Sequence, residues 1–340
     1  MTISPESIPR FSAEEALAAG LDRYGICGPA SALPSERDQN FLIRDAERGK
    51  LVLKIANRED SPELLDLQHQ AMRRVSESCR DLQVQAILAA RDGTDFASIH
   101  SASGVRHWVR VFEWIEGTVL AQCHPRGAAM MESIGTCMAQ VDVALRDFSH
   151  PAMHRVLQWD LRHAGLARDK VALLHDPWRS RAQRAFDDWE TIDWRSLRHG
   201  VIHGDANDYN VLTARGRMCG LLDFGDIVHS ATACELAIAL AYAMLHEHDP
   251  LGAAFTLIRA YHRHNPLTEP EQQVLFPLVI ARLSASLCYS AHNRARNPHD
   301  PYQVVTEGAA RALLDRLDGS AQKASAVVRA ACAVRRNRSP

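Results

Sequence analysis

The chain has 340 residues, more than one ordinary core holds, so one large or two smaller domains are expected. Its 46% hydrophobic and 24% charged residues are those of a soluble globular protein, and a formal net charge of -2 gives no global pull toward nucleic acid or anionic membrane. Its eight cysteines include no CxxC pair, which argues against a zinc ribbon or redox motif and for reduced thiols in the cytosol.

The N-terminal stretch MTISPESIPRFSAEEAL is acidic and lacks a long apolar run, unlike a secretory signal. Ser12 and Glu15 have capping-box spacing and open a short helix. Strand-like segments follow at Ser31–Leu33, Asn40–Arg44 and Leu51–Ile55, the last two joined by the charged turn Asp45–Lys50, as in an antiparallel meander. Ser61-Pro62-Glu63 starts a helix with proline at its first position. Leu64, Leu67, Ala71, Met72 and Val75 line one face of it. Two more strands are predicted over Val84–Ala90 and His107–Trp114. After Glu116-Gly117 helical periodicity dominates, over Arg126–Phe148 and Trp178–Ile192. A strand–turn–strand around His203–Phe224 interrupts it, and helices resume from Ala233. The longest apolar stretch, near Leu236–Leu245, is too short to span a bilayer. The basic tail from Ala333 to Pro340 reads as a frayed helix end or a disordered arm, with an RNA-binding arm as the alternative.

Chemistry concentrates in two stretches. In Val201-Ile-His-Gly-Asp-Ala-Asn-Asp-Tyr-Asn-Val-Leu212 an apolar strand turns abruptly polar. In Gly220-Leu-Leu-Asp-Phe-Gly-Asp226 a second strand again ends on an Asp. The segment between them reads as a hairpin with Gly216 in its turn, so Asp205, Asn210 and Asp223 converge on one edge. Three oxygen ligands without sulfur suit a hard cation such as Mg²⁺, which normally also needs substrate phosphates. The spacing follows protein-kinase catalytic-loop logic, H-x-D-x-x-x-x-N followed by D-F-G. In that logic Asp205 accepts the proton of the attacking hydroxyl, and Asn210 and Asp223 hold the metal. Gly204 stands where a protein kinase regulated by a phosphorylated loop carries Arg. Upstream, Lys54 sits inside an apolar strand, which is costly unless its ammonium finds an anion. Nucleotide phosphates would be that anion. The strand ending at Trp114 leads to a hinge whose backbone, at Glu113 and Ile115, is placed to bind a purine edge. His203 is read as structural, and His246 and His248 as solvent-facing. Ala233–Leu245 reads as a core helix in which only Glu235 is suspicious.

Together, HGDANDYN, DFGDIVHS and VLKI resemble the aminoglycoside phosphotransferase and choline kinase superfamily over most of the chain. Three phrases, Ser35-Glu-Arg-Asp-Gln-Asn-Phe41, Trp159-Asp-Leu-Arg-His-Ala164 and Asp223-Phe-Gly-Asp-Ile-Val-His-Ser230, resemble its hydroxylysine kinase branch, whose relatives also occur fused ahead of class III aminotransferases. The resemblance implies an α+β, protein-kinase-like two-lobe fold. A small antiparallel-sheet lobe (residues 1–115) would bind nucleotide, and a larger, mainly helical lobe (residues 116–340) would carry catalysis and the acceptor, with the nucleotide between them. It implies transfer of the γ-phosphate of ATP or GTP to a small-molecule hydroxyl, with Asp205 as base, Asn210 and Asp223 as Mg²⁺ ligands and Lys54 on the phosphates. Ser35 to Asn40 would form a glycine-free loop over the phosphates. The family usually pairs the lysine with a Glu on the first-lobe helix. The matching position here is Gln68, with Asp66 and Glu63 as alternatives.

For the acceptor, the charges of Gln158–Arg198 mix signs, which suits a zwitterion better than a polycationic aminoglycoside. Arg162 or Arg282 would fork onto a carboxylate, and Asp226, Asp208 or Glu235 would take an ammonium. The expected acceptor is a small hydroxy-amine or hydroxy-amino acid, foremost hydroxylysine. Aminoglycoside, homoserine and choline or ethanolamine kinases, and a nucleotide-binding pseudokinase module, are the competing readings. No nucleic-acid or membrane partner is expected.

Overall fold

The computed structural model describes residues 7–35, 37–296 and 306–333, so the basic tail beyond Ala333 and Glu36 of the phosphate-loop phrase lie outside the described residues. The chain forms two compact units, one of residues 1–73 and 84–116, the other of residues 74–83 and 117–340.

The first unit begins with α1 (Ala13–Tyr24), whose Ser12–Glu15 capping box is formed in both directions. Strands β1 (Ala30–Leu33), β2 (Gln39–Asp45) and β3 (Gly49–Ile55) make the meander. Helix α2 (Pro62–Ser78) follows. The single strand expected over Val84–Ala90 is instead two short ones, β4 (Gln83–Val84), where the chain passes between units, and β5 (Ile87–Leu88). Strand β6 (Ala97–His100), which the sequence pattern did not reveal, forms a hairpin with β7 (Arg106–Glu113). The sheet order is β1-β2-β3-β7-β5, antiparallel throughout, with β6 on β7. Alternation sends Phe41, Ile43, Leu51, Leu53, Ile55, Val109 and Val111 to one face, where they share a core with Phe11, Ala16, Tyr24 and Ile26. The opposite face carries one polar row, because Asn40 lies opposite Lys54 and Lys54 opposite Arg110.

The second unit holds β8 (Thr118–Val119), α3 (Ala128–Leu145), α4 (Trp178–Glu190), β9 (His199–Ile202), β10 (Val211–Ala214), β11 (Arg217–Leu221), β12 (Val228–Ala231), α5 (Ala233–Ala243), α6 (Pro250–His264), α7 (Glu269–Arg296), α8 (Glu307–Leu317) and α9 (Ala321–Ala333). Between α3 and α4, Leu161–Leu173 winds as 3₁₀ turns kinked at His163, a segment the helical periodicity left unassigned. Helices α3 and α6 approach closely at Gly135, where a Cβ would stand 2.2 Å from the Leu257 carbonyl oxygen. Helix α5 is buried along its whole length. Helix α7 is long and apolar enough to cross a membrane, but 83% of its apolar window is buried, and it packs on α5, α4 and the 3₁₀ segment as a core helix does. The β10–β11 hairpin pairs with β8, and β9 pairs with β12.

Candidate active site

The loop from His203 to Asn210 joins β9 to β10. The hairpin then brings the chain back, with Val211 opposite Leu221 and the Leu222 amide donating to the Asn210 carbonyl at 2.9 Å. Asn210 and Asp223 therefore stand at the same hairpin end. His203 is fully buried behind them. Its Nε2–H donates to Leu222 O at 3.0 Å, and its Nδ1 accepts from the Asp205 amide at 3.3 Å. Burial pushes its pKa down to about 4, so the ring is a neutral brace rather than an acid. Phe224 packs edge-on against it at 4.7 Å.

Gly204 has φ +81, and a Cβ there would stand 2.7 Å from the Asp226 carbonyl oxygen. Backbone strain and this close approach explain why no side chain occupies the position. We expect Gly204→Ala to cost about 1–2 kcal/mol from the left-handed backbone alone, and more from displacing Asp226. The measurement is a lowered Tm together with a fall in turnover, because Asp205 is the next residue. An unchanged Tm would contradict this account of the loop.

Asp205 is held on both oxygens. Oδ2 accepts from the side-chain amides of Asn207 and Asn210, each at 2.8 Å, and Oδ1 accepts from Arg282 Nη2 at 2.9 Å. Arg282, on α7, is itself buried, with Nη1 on the Trp159 carbonyl at 2.8 Å and its guanidinium 4.7 Å from the Trp159 ring. The Asp205 side chain keeps 21% exposure, which leaves room for an acceptor hydroxyl. Burial raises its pKa well above the ordinary carboxylate range, Arg282 opposes the shift, and Asp226 and Asp223 add to it. Asn210 gives its amide nitrogen to Asp205, so its carbonyl oxygen is the group left to meet a cation. Asp223 has left-handed backbone (φ 56) braced by its own Oδ1, which accepts from Gly225 N at 3.0 Å. Arg155 fastens the following turn through the carbonyls of Gly225 at 2.5 Å and Ile227 at 2.7 Å. An amide oxygen and a carboxylate are hard donors, few in number, which fits a divalent cation that keeps phosphate and water ligands. Among the described residues no cluster of three or more His, Cys, Asp or Glu forms a metal site.

In the first unit, Lys54 Nζ lies 3.1 Å from Asp38 Oδ2. Gln68, on α2, accepts from Arg110 Nη1 at 2.6 Å. Asn40 is half-buried in the same row, and Ser35 is exposed. At the strand end the Glu113 amide donates to Ala86 O at 2.9 Å, and Gln85 reaches the Glu113 carbonyl at 3.4 Å. Ile115 is buried, and Glu116 pairs with Lys50 at 2.7 Å.

A family model described as the phosphotransferase enzyme family matches residues 30–271. The chain belongs to the phosphotransferase enzyme family. It is 30% identical to a hydroxylysine kinase of Mus musculus, over 93% of this chain and 92% of that one. A hydroxylysine kinase of Danio rerio is 28% identical over 92% and 93%. A microcompartment-associated aminopropanol kinase shares the fold with a TM-score of 0.68 at 17% identity, covering 95% and 96%.

Within this phosphotransferase, Asp226 is half-buried, and its charge acts on both Asp205 and Arg282. The other two ammonium candidates are committed to the fold. Glu235 is fully buried on α5, where Oε2 accepts from Gly204 N at 2.9 Å, and burial lifts its pKa to about 7. Asp208 is 3% exposed, and its charge faces Arg126, the guanidinium that ties Leu120, Cys123 and the C-terminal carbonyls of α5. Burial of Asp208 raises its pKa to about 6. Arg162 is exposed, with its charge acting on His229. Two of the three phrases noted in the sequence, at 159–164 and 223–230, meet directly, since Ser230 Oγ donates to Asp160 Oδ1 at 2.6 Å. Sequence reasoning missed Asp38, Arg110 and Arg155. Asp38 lay inside a phrase already noticed, and Arg110 interrupts the apolar strand at 109–112. Arg155 left no local signal.

Proposed function

We propose that this phosphotransferase moves the γ-phosphate of ATP or GTP, in the presence of Mg²⁺, to the hydroxyl of hydroxylysine or a similar small hydroxy-amino acid. The observation that carries the reading is Asp205, a partly exposed carboxylate oriented by Asn207, Asn210 and Arg282. It takes the proton of the acceptor hydroxyl as that oxygen bonds to phosphorus and the nucleoside diphosphate leaves. Asn210 and Asp223 would hold Mg²⁺, which when bound neutralises charge on the phosphate oxygens. Residues 1–115 would bind nucleotide through Lys54, Asn40, Ser35, the Glu113 carbonyl and the backbone of Ile115, the Glu113 amide being held by Ala86. Residues 116–340 would bind the acceptor. Asp226 is our choice for an acceptor ammonium, because its charge reaches the base and it remains half-buried rather than enclosed. Arg162 is our choice for a carboxylate, because it is exposed, whereas Arg282 is buried with its guanidinium held by Asp205 and the Trp159 carbonyl. The similarity to hydroxylysine kinases along almost the whole chain supports this acceptor class. Eight free thiols support a reducing, cytoplasmic setting.

The test is a coupled kinase assay with MgATP or MgGTP against 5-hydroxylysine, homoserine, choline, ethanolamine and kanamycin. Hydroxylysine is expected to give the highest kcat/KM. If kanamycin or choline far exceeds every hydroxy-amino acid, the acceptor assignment fails while the kinase assignment stands. Absence of turnover with all five, alongside intact nucleotide binding, would favour a pseudokinase.

A further inference from the structure

The phosphate-binding lysine of this chain meets a carboxylate that helix α2 does not provide. Lys54 Nζ contacts Asp38 Oδ2 at 3.1 Å, and Arg110 Nη2 approaches the same oxygen at 3.7 Å. Asp38 lies between β1 and β2, in the segment expected to cover the phosphates. Its other oxygen, Oδ1, accepts the Asn57 amide at 3.0 Å, just beyond the strand that carries Lys54. Asn57 is itself buried and donates through its side-chain amide to the Arg37 carbonyl at 3.2 Å, so the segment is tied down at both Arg37 and Asp38. On α2 the residue facing this row is Gln68, whose oxygen takes the Arg110 guanidinium at 2.6 Å. Arg110 is only 2% exposed, a cation kept inside the sheet face beside Lys54.

We propose that Asp38 is the positioning carboxylate of the nucleotide subsite, orienting Lys54, and that Gln68 is neutral because its task is to hold Arg110 as a second cation beside that lysine. Asp60, buried and paired with Arg37 at 2.9 Å, also acts on both cations. A further carboxylate in place of Gln68 would add anionic charge where a polyphosphate has to sit. The arrangement also couples the covering segment to Lys54, so a nucleotide that engages the lysine meets a segment already in place. This inference rests on the kinase reading above.

The experiment is calorimetric titration of MgATP into the wild type, Asp38→Asn, Asp38→Glu, Gln68→Met and Lys54→Met, and into the double variant Asp38→Asn/Lys54→Met. Steady-state kinetics accompany it. Asp38→Asn is expected to raise the nucleotide Kd roughly tenfold, the usual worth of a charge-assisted hydrogen bond, with acceptor KM unchanged. Asp38→Glu should recover part of the loss. Gln68→Met should weaken binding less than Asp38→Asn. Lys54→Met should erase the effect of Asp38→Asn, since the carboxylate then has no lysine to orient. A purely structural role for Asp38 would lower Tm without this non-additivity. Equal MgATP binding by Asp38→Asn and wild type, or additive losses in the double variant, overturns the inference alone. A wild type that binds no MgATP overturns the kinase reading and this inference together.

Discussion

Asp205→Asn should lower kcat by roughly 10²-fold or more, the usual cost of losing a general base. The substitution keeps the shape of the side chain but replaces one acceptor oxygen by a donor nitrogen. Both oxygens of Asp205 accept from donors, Oδ2 from two side-chain amides at 2.8 Å and Oδ1 from Arg282 at 2.9 Å. The introduced NH₂ must therefore face a donor, and either the amide pair or Arg282 loses its bond. Nucleotide affinity should change little if, as proposed, the residue serves the acceptor. Near-normal turnover by Asp205→Asn would remove the residue from the chemistry. Arg282→Met separates the two roles open to that arginine. If it only orients Asp205, kcat falls and acceptor KM holds. If it also binds an acceptor carboxylate, KM for hydroxylysine rises and KM for ethanolamine, which lacks a carboxylate, does not.

On the proposed metal assignment, Asp223→Ala should abolish Mg²⁺-dependent nucleotide binding, because the site would lose its carboxylate and keep only the Asn210 amide oxygen. The alanine also removes the Oδ1 contact with Gly225 N at 3.0 Å that braces a left-handed residue, so the turn itself will relax. Asp223→Asn controls for this, since an amide oxygen can keep the brace while the charge is gone. Loss of metal dependence in both variants assigns the effect to charge. Loss in the alanine variant alone assigns it to the turn. Lys54→Met should weaken nucleotide binding yet leave its Mg²⁺ dependence in place. Calorimetry with and without Mg²⁺ distinguishes these patterns, and equal, metal-independent losses in Lys54→Met and Asp223→Asn would contradict the assignment.

What the sequence by itself determined is the local chemistry. The His203–Asn210 loop, the hairpin and the Asp223 turn form one continuous stretch, and a hairpin returns a chain to its start whatever surrounds it. The apolar alternation around Lys54 likewise placed that lysine on a strand, and the Ser12–Glu15 spacing announced a cap that forms as written. Short strands left weaker traces. The stretch Val84–Ala90 looked continuous because apolar residues on two short strands leave the same pattern as one. The partners of the key charges were decided only by tertiary structure. Arg282 meets Asp205 across a sequence separation of 77, and Arg110 meets Gln68 across 42, distances at which no periodicity survives. Glu235 and Asp208 looked available because sequence shows a charge but not its burial. Packing of α5 under Gly204, and of Arg126 against the α5 terminus, gave both to the scaffold. The sequence named the candidate reacting groups, because backbone geometry brings neighbours together. The fold chose what orients them, because a buried charge takes whichever partner packing delivers.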